Sequence, residues 1–155
     1  RIGVEGFSFG GTTTSMLVLR YPQYFCCGVA GGGVYDWNLY DSHYTERFMD
    51  TPQANPEGYA EAGVLTWVPK VFAPENASRP APGALKITHG TGDDNVHFQN
   101  SLLLVDALQK EGYQFELMIY PDGMHGYRGK QHLHDQASDH IFWSRHLLGK
   151  PAAEQ

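Results

Sequence analysis

The sequence predicts an α/β fold with a mostly parallel sheet and helices on both of its faces. Short apolar runs, typical of buried strands, alternate along the chain with longer segments of helical periodicity. This alternation favours parallel strands joined by helical crossovers. The chain has 155 residues, of which 41% are hydrophobic, and this is enough apolar material for one core.

The first half of the predicted sheet lies close to the start of the chain. Residues 1–6 form a short apolar run that ends in glycine, and residues 25–31 form a second run that is typical of a buried strand. Between them, residues 12–21 predict a helix that stops before Pro22. Residues 32–82 are repeatedly interrupted by proline, so only short helices are expected there.

The second half repeats the alternation of strands and helices. Residues 84–89 and 115–120 predict the third and fourth strands, and residues 97–111 and 132–148 predict helices. The apolar side of the first of these helices is expected at Phe98, Leu102, Val105 and Leu108. That of the second is expected at Ile141, Phe142, Leu147 and Leu148. Residues 1–148 are therefore expected to form one partial domain, followed by a tail at 149–155.

Composition excludes several classes of function. The formal net charge is −6, so no basic face for nucleic acid is expected. No apolar run approaches the roughly 18 residues that a membrane span needs. Cys26 and Cys27 are adjacent in an apolar run, which predicts a buried strand rather than a disulfide and indicates no compartment. His132 and His134 alternate on a predicted helix and share no face, so neither a metal site nor another cofactor is predicted.

A G-x-S-x-G motif at residues 6–10 follows the first predicted strand and opens the first helix. A sharp, strained turn in this position exposes a serine nucleophile. Side chains at Gly6 and Gly10 would be expected to collide where strand and helix pack closely. Ser8 is therefore the candidate nucleophile, and the backbone N–H of Phe9 is the candidate donor to an oxyanion.

An acid and a histidine follow the next strands in the order that this chemistry requires. A serine is a poor nucleophile without a base, and the base needs an acid to orient it. Asp93 and Asp94 follow the third predicted strand, and His125 follows the fourth. The spacing alone does not decide which of the two aspartates would orient His125.

Four sequence strings resemble the catalytic domain of the dipeptidyl peptidase IV branch of the prolyl oligopeptidase family. They are GFSFGG, DSHYTERFM, HGTGDDNVHFQ and the His125-Gly126 pair, and the resemblance spans residues 1–148. It implies the C-terminal portion of an α/β-hydrolase fold, with a β-propeller upstream. It also implies release of Xaa-Pro or Xaa-Ala dipeptides from peptides, with Ser8 as nucleophile, Asp93 as acid and His125 as base.

The resemblance also implies which residues bind substrate. Asn95 would contact a substrate carbonyl, to which its amide can donate. Five residues would form the pocket for a proline ring, and aromatic and aliphatic faces suit that compact apolar group. These are Val34, Trp37, Tyr40, Tyr44 and Val96. The four-residue spacing of Tyr40 and Tyr44 predicts that they share a helical face. A homodimer is a further implication of the resemblance.

Alternative interpretations stay open. Phe7 and Phe9 occupy positions where the dipeptidyl peptidase pattern usually has Trp and Tyr. Strings at residues 36–40 and 55–59 are shared with the prolyl tripeptidyl aminopeptidases, so tripeptide release is an alternative. A carboxylesterase would use the same Ser-Asp-His group, but it gives no reason for the tyrosines and Asn95 to occur together. A catalytically silent binding fragment is another alternative, since a second oxyanion donor and an anchor for the substrate amino group are expected upstream.

Overall fold

The structure, a computed structural model, describes residues 1–150. This part of the chain contains strands β1 to β4, all parallel and in the order β1-β2-β3-β4. Their bounds are Ile2–Phe7, Phe25–Gly31, Ala84–Gly90 and Glu116–Tyr120. The predicted parallel sheet is confirmed, and so is the strand at Cys26 and Cys27, both of which are free thiols. Residues 151–155 of the predicted tail lie outside the described residues.

The helices connect the strands as the sequence predicts. Their bounds are Phe9–Arg20 (α1), Ser42–Met49 (α2), Pro56–Ala62 (α3), Val64–Val71 (α4), Gln99–Lys110 (α5) and Gly129–His146 (α6). Short 3₁₀ turns lie at Trp37–Leu39 and Pro74–Asn76. The long connection between β2 and β3 therefore holds only short helices, as expected from its prolines. Pro69 nevertheless lies inside α4, near its C-terminal end.

Helices cover both faces of the sheet, which confirms the predicted layering. On β2, Ala30 packs with α1, α4 and α5, whereas its neighbour Val29 packs with Phe142 of α6. Successive residues of a strand point to opposite faces, so α6 lies across the sheet from the other three helices. The larger core is on the α1 side and consists of Val18, Leu19, Ala30, Tyr35, Val64, Val68, Leu85, Ile87, Leu104 and Leu108.

The buried face of α5 differs from the prediction. Leu104 and Leu108 are buried as an apolar face should be, but Leu102 is 49% exposed. Asn100 and Ser101 point inward instead, where Asn100 accepts from the Tyr35 N–H after β2 and Ser101 bonds to His89 of β3. On α6 only Phe142 is fully buried, and Leu148 is 60% exposed because the helix ends at His146.

The sheet brings three loops to one edge. Parallel strands have their carboxyl ends at the same edge, and ligands of open α/β sheets bind there. Ser8 follows β1, Asp93 follows β3 and His125 follows β4. The fold therefore gathers three predicted site residues that are far apart in sequence.

Candidate active site

Ser8 forms a sharp turn between the end of β1 and the start of α1. Its φ of 61° and ψ of −123° place it in a conformation that residues other than glycine rarely adopt. Its N–H donates to the Gly31 carbonyl at 2.8 Å, and its carbonyl accepts from the Gly11 N–H at 2.9 Å. These bonds fix the turn on both sides and leave the hydroxyl free to point out of it.

Two glycines allow α1 to approach the sheet closely, Gly6 where α1 meets β1 and Gly11 where α1 meets the end of β2. A Cβ at Gly6 would lie 2.4 Å from the backbone of Gly10, and a Cβ at Gly11 would lie 2.5 Å from the Gly31 carbonyl oxygen. The prediction for Gly10 was wrong, because a Cβ there meets nothing within 4 Å. The close approach is therefore at positions 6 and 11.

The three predicted residues form one hydrogen-bonded chain. His125 Nε2 lies 2.9 Å from Ser8 Oγ, and His125 Nδ1 lies 2.8 Å from Asp93 Oδ2. The Asp93 side chain is fully buried and that of His125 is 20% exposed. A carboxylate only accepts, so Nδ1 carries the proton and Nε2 can accept from the Ser8 hydroxyl. Asp94, the alternative that spacing left open, is exposed to solvent.

The Asp93 carboxylate is held by more than His125. Its Oδ1 accepts from the backbone N–H groups of Asn95, at 3.0 Å, and Val96, at 2.9 Å. Its Oδ2 also lies 3.3 Å from His89 Nε2. Sequence reasoning gave His89 no role. The signal that was available is a histidine at the end of a strand, four residues before the acid.

Aromatic rings support the His125 imidazole. The Phe7 ring lies 5.1 Å from it, centroid to centroid, and 5.7 Å edge-on from Tyr127. The Tyr127 hydroxyl donates to Thr88 Oγ1 at 2.9 Å, and burial raises the pKa of Tyr127, so the hydroxyl keeps its proton. No spacing in the sequence indicated the contact of Phe7 with Tyr127, because Phe7 ends β1 and Tyr127 lies in the loop after β4, far away along the chain.

The backbone N–H of Phe9 lies in the first turn of α1. No residue of the helix precedes it to accept its hydrogen bond, so the group is free to bind an anion. The Phe9 side chain is 57% exposed, and its ring lies 5.8 Å from that of Trp37. The first turn of α1 therefore adjoins the predicted proline pocket.

The five predicted pocket residues come together beside Ser8. Trp37 and Tyr44 are stacked at 6.3 Å and 14°, and the Tyr40 ring stands edge-on to each of them, at 6.0 Å and 5.5 Å. Val34 and Val96 are buried in the same cluster as Trp37. Trp37 is nearly buried among its neighbours, so the apolar surface that the cluster offers to a small ring comes mainly from the half-buried Tyr40 and the 40% exposed Tyr44.

Tyr40 and Tyr44 do not share a helical face, so that prediction was wrong. Tyr40 has extended backbone, with φ −107° and ψ 161°, and only Tyr44 lies in α2. The Asp41 carboxylate accepts from the Tyr44 N–H at 2.8 Å and so caps α2 one residue after Tyr40. The rings meet because the chain turns at Asp41.

Asn95 is oriented by Tyr40. The Tyr40 hydroxyl donates to Asn95 Oδ1 at 2.8 Å. Burial and then the Asp41 carboxylate raise the pKa of Tyr40, so this hydroxyl keeps its proton. The bond leaves the Asn95 NH₂ group to donate elsewhere. Tyr40 and Asn95 also line an open cavity of about 670 Å³.

Comparison with known proteins identifies the family. The sequence model of the prolyl oligopeptidase family matches residues 1–151. The chain belongs to this family. Two fungal relatives are a probable dipeptidyl-aminopeptidase B of Uncinocarpus reesii, 42% identical over 90% of the chain, and a probable dipeptidyl peptidase 4 of Aspergillus flavus, 41% identical over 81% of it. The chain spans 15% and 16% of the lengths of these two prolyl oligopeptidase relatives.

Solved structures of this family confirm the α/β-hydrolase fold. The crystal structure of Porphyromonas gingivalis dipeptidyl peptidase 4 matches 92% of the chain with a TM-score of 0.77 and 38% identity. A Bacteroides ovatus protein, a dipeptidyl aminopeptidase IV candidate, matches 94% with a TM-score of 0.84 and 37% identity. The chain covers 19% of each of these proteins.

Among residues 1–150, no helix is both long enough and apolar enough to cross a bilayer. In the same residues, no three or more His, Cys, Asp or Glu side chains are grouped so that they could hold a metal ion.

Proposed function

We propose that the protein is a serine exopeptidase that releases Xaa-Pro or Xaa-Ala dipeptides from the free amino end of peptides. The observation that carries the proposal is the Ser8–His125–Asp93 chain, with bonds of 2.9 Å and 2.8 Å, next to an aromatic pocket. The pocket distinguishes a peptidase that cleaves after proline from an esterase, which needs only the hydrogen-bonded chain. Family membership supports the same reaction class.

In the proposed reaction, Ser8 Oγ attacks the carbonyl carbon of the scissile peptide bond. His125 Nε2 takes the serine proton, while Asp93 stabilises the imidazolium through Nδ1–H. The carbonyl oxygen becomes an oxyanion and accepts from the Phe9 N–H. The intermediate collapses as His125 gives its proton to the leaving amine, which leaves the dipeptide esterified to Ser8. Water then attacks this ester by the same steps, releases the dipeptide acid and regenerates the serine.

The pocket accounts for the proposed preference at the second substrate residue. A proline ring is small, apolar and without an N–H, so the stacked and edge-on rings of Trp37, Tyr40 and Tyr44 can bury it and leave no polar group unpaired. Alanine fits the same space with less buried area. The Asn95 amide, oriented by Tyr40, is assigned to a carbonyl of the substrate.

The strings shared with tripeptidyl aminopeptidases have structural explanations. Asp36 caps the 3₁₀ turn at Trp37–Leu39, and Asn55 caps α3 by accepting from the Gly58 N–H at 3.1 Å. The Tyr59 hydroxyl donates to the Asp50 carbonyl at 2.9 Å. These contacts stabilise the loop that carries the pocket residues, and none of them gives a reason to expect tripeptide release. Dipeptide release is therefore the activity that we propose.

The proposal includes two partners that the family resemblance implies. One is a β-propeller in the same protein, which would anchor the substrate amino group and so define the dipeptide. The other is a second copy of the protein in a homodimer. Peptides with proline or alanine at the second position are the proposed substrates.

The test compares three chromogenic substrates with the protein as its gene encodes it. We expect Gly-Pro-nitroanilide to be hydrolysed with a higher kcat/KM than Ala-Ala-Pro-nitroanilide or nitrophenyl butyrate, and Ser8→Ala to abolish its hydrolysis. A preference for the tripeptide substrate would assign the protein to tripeptide release. A preference for the butyrate ester would assign it to the esterases, and either result would overturn the proposal.

A further inference from the structure

His89, at the carboxyl end of β3, is a second histidine on the Asp93 carboxylate. It is completely buried. Its Nε2 lies 2.8 Å from the Val96 carbonyl oxygen and 3.3 Å from Asp93 Oδ2, and its Nδ1 lies 2.7 Å from Ser101 Oγ. The reaction proposed above assigns it no part.

The surroundings of His89 fix its protonation. The Val96 carbonyl and the Asp93 carboxylate only accept hydrogen bonds, so Nε2 must carry a proton. Burial lowers the pKa of His89, so the ring stays neutral and Nδ1 accepts from the Ser101 hydroxyl. Asp93 and His125 are the titratable groups that act on it, and the Phe98 ring covers it edge-on at 5.6 Å.

His89 lies against the same oxygen of Asp93 as His125 does. Two backbone N–H groups, of Asn95 and Val96, hold Oδ1. His125 and His89 approach Oδ2, at 2.8 Å and 3.3 Å. With donors on both oxygens, the carboxylate cannot rotate about its Cβ–Cγ bond without losing some of them. The oxygen that faces His125 therefore has a fixed direction.

We infer that His89 is a positioning residue: its Nε2, whose proton goes to the Val96 carbonyl at 2.8 Å, also lies 3.3 Å from Asp93 Oδ2, and the attraction between this N–H and the carboxylate holds Oδ2 in place for His125. The inference rests on the proposed function only in that it concerns the reactivity of Ser8. His89 does not touch the serine, and its one contact with a predicted pocket residue is the bond to the backbone carbonyl of Val96. We therefore expect its effect on the reactivity of Ser8 to pass through Asp93.

A merely structural role is the competing explanation. By its bonds to the Val96 carbonyl and Ser101, His89 also ties the Asp93 loop to α5. If this were all it did, its loss would loosen the whole loop, including Val96 in the pocket. Reactivity and substrate binding would then fall together, whether or not Asp93 were present.

The first measurement is the rate at which a fluorophosphonate labels Ser8 in the protein as its gene encodes it. His89→Leu should slow labelling about 5- to 10-fold, the effect of losing one modest polar contact. His89→Gln, whose amide N–H can take the place of Nε2–H beside Asp93, should recover most of the rate. His140→Leu, an exposed histidine of α6, is the matched control and should label at the wild-type rate.

The deciding measurement is a double-mutant cycle. A residue that acts through Asp93 has nothing to position once Asp93 is changed. In an Asp93→Asn background, His89→Leu should therefore change the labelling rate less than about threefold. In the otherwise wild-type protein, His89→Leu should lower kcat on Gly-Pro-nitroanilide while KM changes less than about threefold. Equal losses in both backgrounds, or a loss confined to KM, would overturn the inference.

The labelling readout separates this inference from the proposed function. If Ser8 is labelled but Gly-Pro-nitroanilide is not hydrolysed, the proposed substrate class is wrong and the cycle still decides the role of His89. If Ser8 is not labelled at all, it is not a reactive serine. The proposed function and the inference about His89 are then both overturned.

Discussion

Ser8 occupies a backbone conformation that costs about 1–3 kcal/mol for a residue with a side chain. The cost is offset locally, because the N–H of Ser8 bonds to Gly31 and its carbonyl bonds to the N-terminal turn of α1. The strain turns the hydroxyl away from strand and helix, so that His125 Nε2 reaches it at 2.9 Å. Strain at this one residue is what makes it accessible to a substrate.

The two neighbouring aspartates should differ greatly in effect. Asp93→Asn removes the acceptor that holds His125 Nδ1–H, and comparable changes in other Ser-His-Asp enzymes lower turnover by about 10⁴-fold. Asp94 is exposed, so Asp94→Asn should lower kcat by less than about threefold. Steady-state kinetics on Gly-Pro-nitroanilide checks both. Similar losses from the two variants, with both folded, would contradict the assignment.

The hydroxyl of Tyr40 should affect substrate binding. Tyr40→Phe removes the bond that orients the Asn95 amide, at 2.8 Å, and keeps the ring in the pocket. We expect KM for Gly-Pro-nitroanilide to rise about 2- to 10-fold, as expected for one neutral hydrogen bond. Tyr24→Phe, at a 63% exposed ring, is the control. An unchanged KM in Tyr40→Phe would show that Asn95 needs no orientation by Tyr40.

A functional residue could be predicted when the sequence immediately around it marks it. Ser8 stands in a motif, and Asp93 and His125 each follow a predicted strand, so their order along the chain places them at one edge. Phe7 against His125, and His89 against Asp93, are contacts between side chains whose directions depend on the final packing. The sequence contains these residues without showing which way they point.

The contact between β1 and α1 gives a stability prediction for two glycines of one motif. Gly6→Ala would place a Cβ 2.4 Å from backbone atoms that cannot move without bending α1. We expect it to lower the free energy of unfolding by about 1–3 kcal/mol or more. Gly10→Ala meets open space inside a helix, and should leave stability unchanged or raise it by up to about 1 kcal/mol.

Thermal unfolding of the two variants beside wild type is the measurement. The pair is informative because both substitutions add the same methyl group to the same motif, four residues apart. Equal melting temperatures for Gly6→Ala and Gly10→Ala would mean that β1 and α1 are not packed as closely as described.

At the level of elements, strands were easier to predict than helix faces. Apolar runs locate the four described strands to within about two residues, and β2 and β3 are buried along nearly their whole length, as central strands of a parallel sheet are. The face of α5 could not be predicted, since Asn100 and Ser101 point inward to polar groups that only the folded sheet brings there. Tyr40 was assigned to a helix because its spacing from Tyr44 fits one, and the capping residue Asp41 separates them.

A buried ion pair joins strand β3 of the sheet to helix α6. Lys86 of β3 is 1% exposed, and its Nζ lies 2.7 Å from Asp139 and 2.6 Å from Ser138, both of α6. Lys86→Met should lower the free energy of unfolding by about 3–5 kcal/mol, because it leaves the Asp139 carboxylate without its counter-charge. Burial, and then Asp139, already raise the pKa of the neighbouring Asp135, so a second uncompensated carboxylate would be costly.

Replacing both partners is the control for the ion pair. Lys86→Met with Asp139→Leu removes both charges together and should recover most of the stability lost in Lys86→Met alone. Chemical denaturation of the three proteins tests this. A double variant that is no more stable than Lys86→Met would show that α6 is not held to the sheet by this pair.

At the scale of the whole molecule, the parallel topology creates the site. It brings residues 8, 93 and 125 to one edge of the sheet, although 117 positions separate Ser8 from His125. The alternation of strands and helices predicts this edge, and the motif after β1 predicts its chemistry. The shape of the pocket was not predictable from that pattern, since the rings that form it lie in the irregular connection between β2 and β3.

The most direct test of the account is to find which residue a fluorophosphonate labels in the protein as its gene encodes it. A serine activated by His125 attacks phosphorus and displaces fluoride, whereas ordinary serines do not react. Peptide mapping by mass spectrometry should find the label on Ser8 alone, and both Ser8→Ala and His125→Ala should abolish it. A label on another residue, or one that persists in Ser8→Ala, would contradict the account.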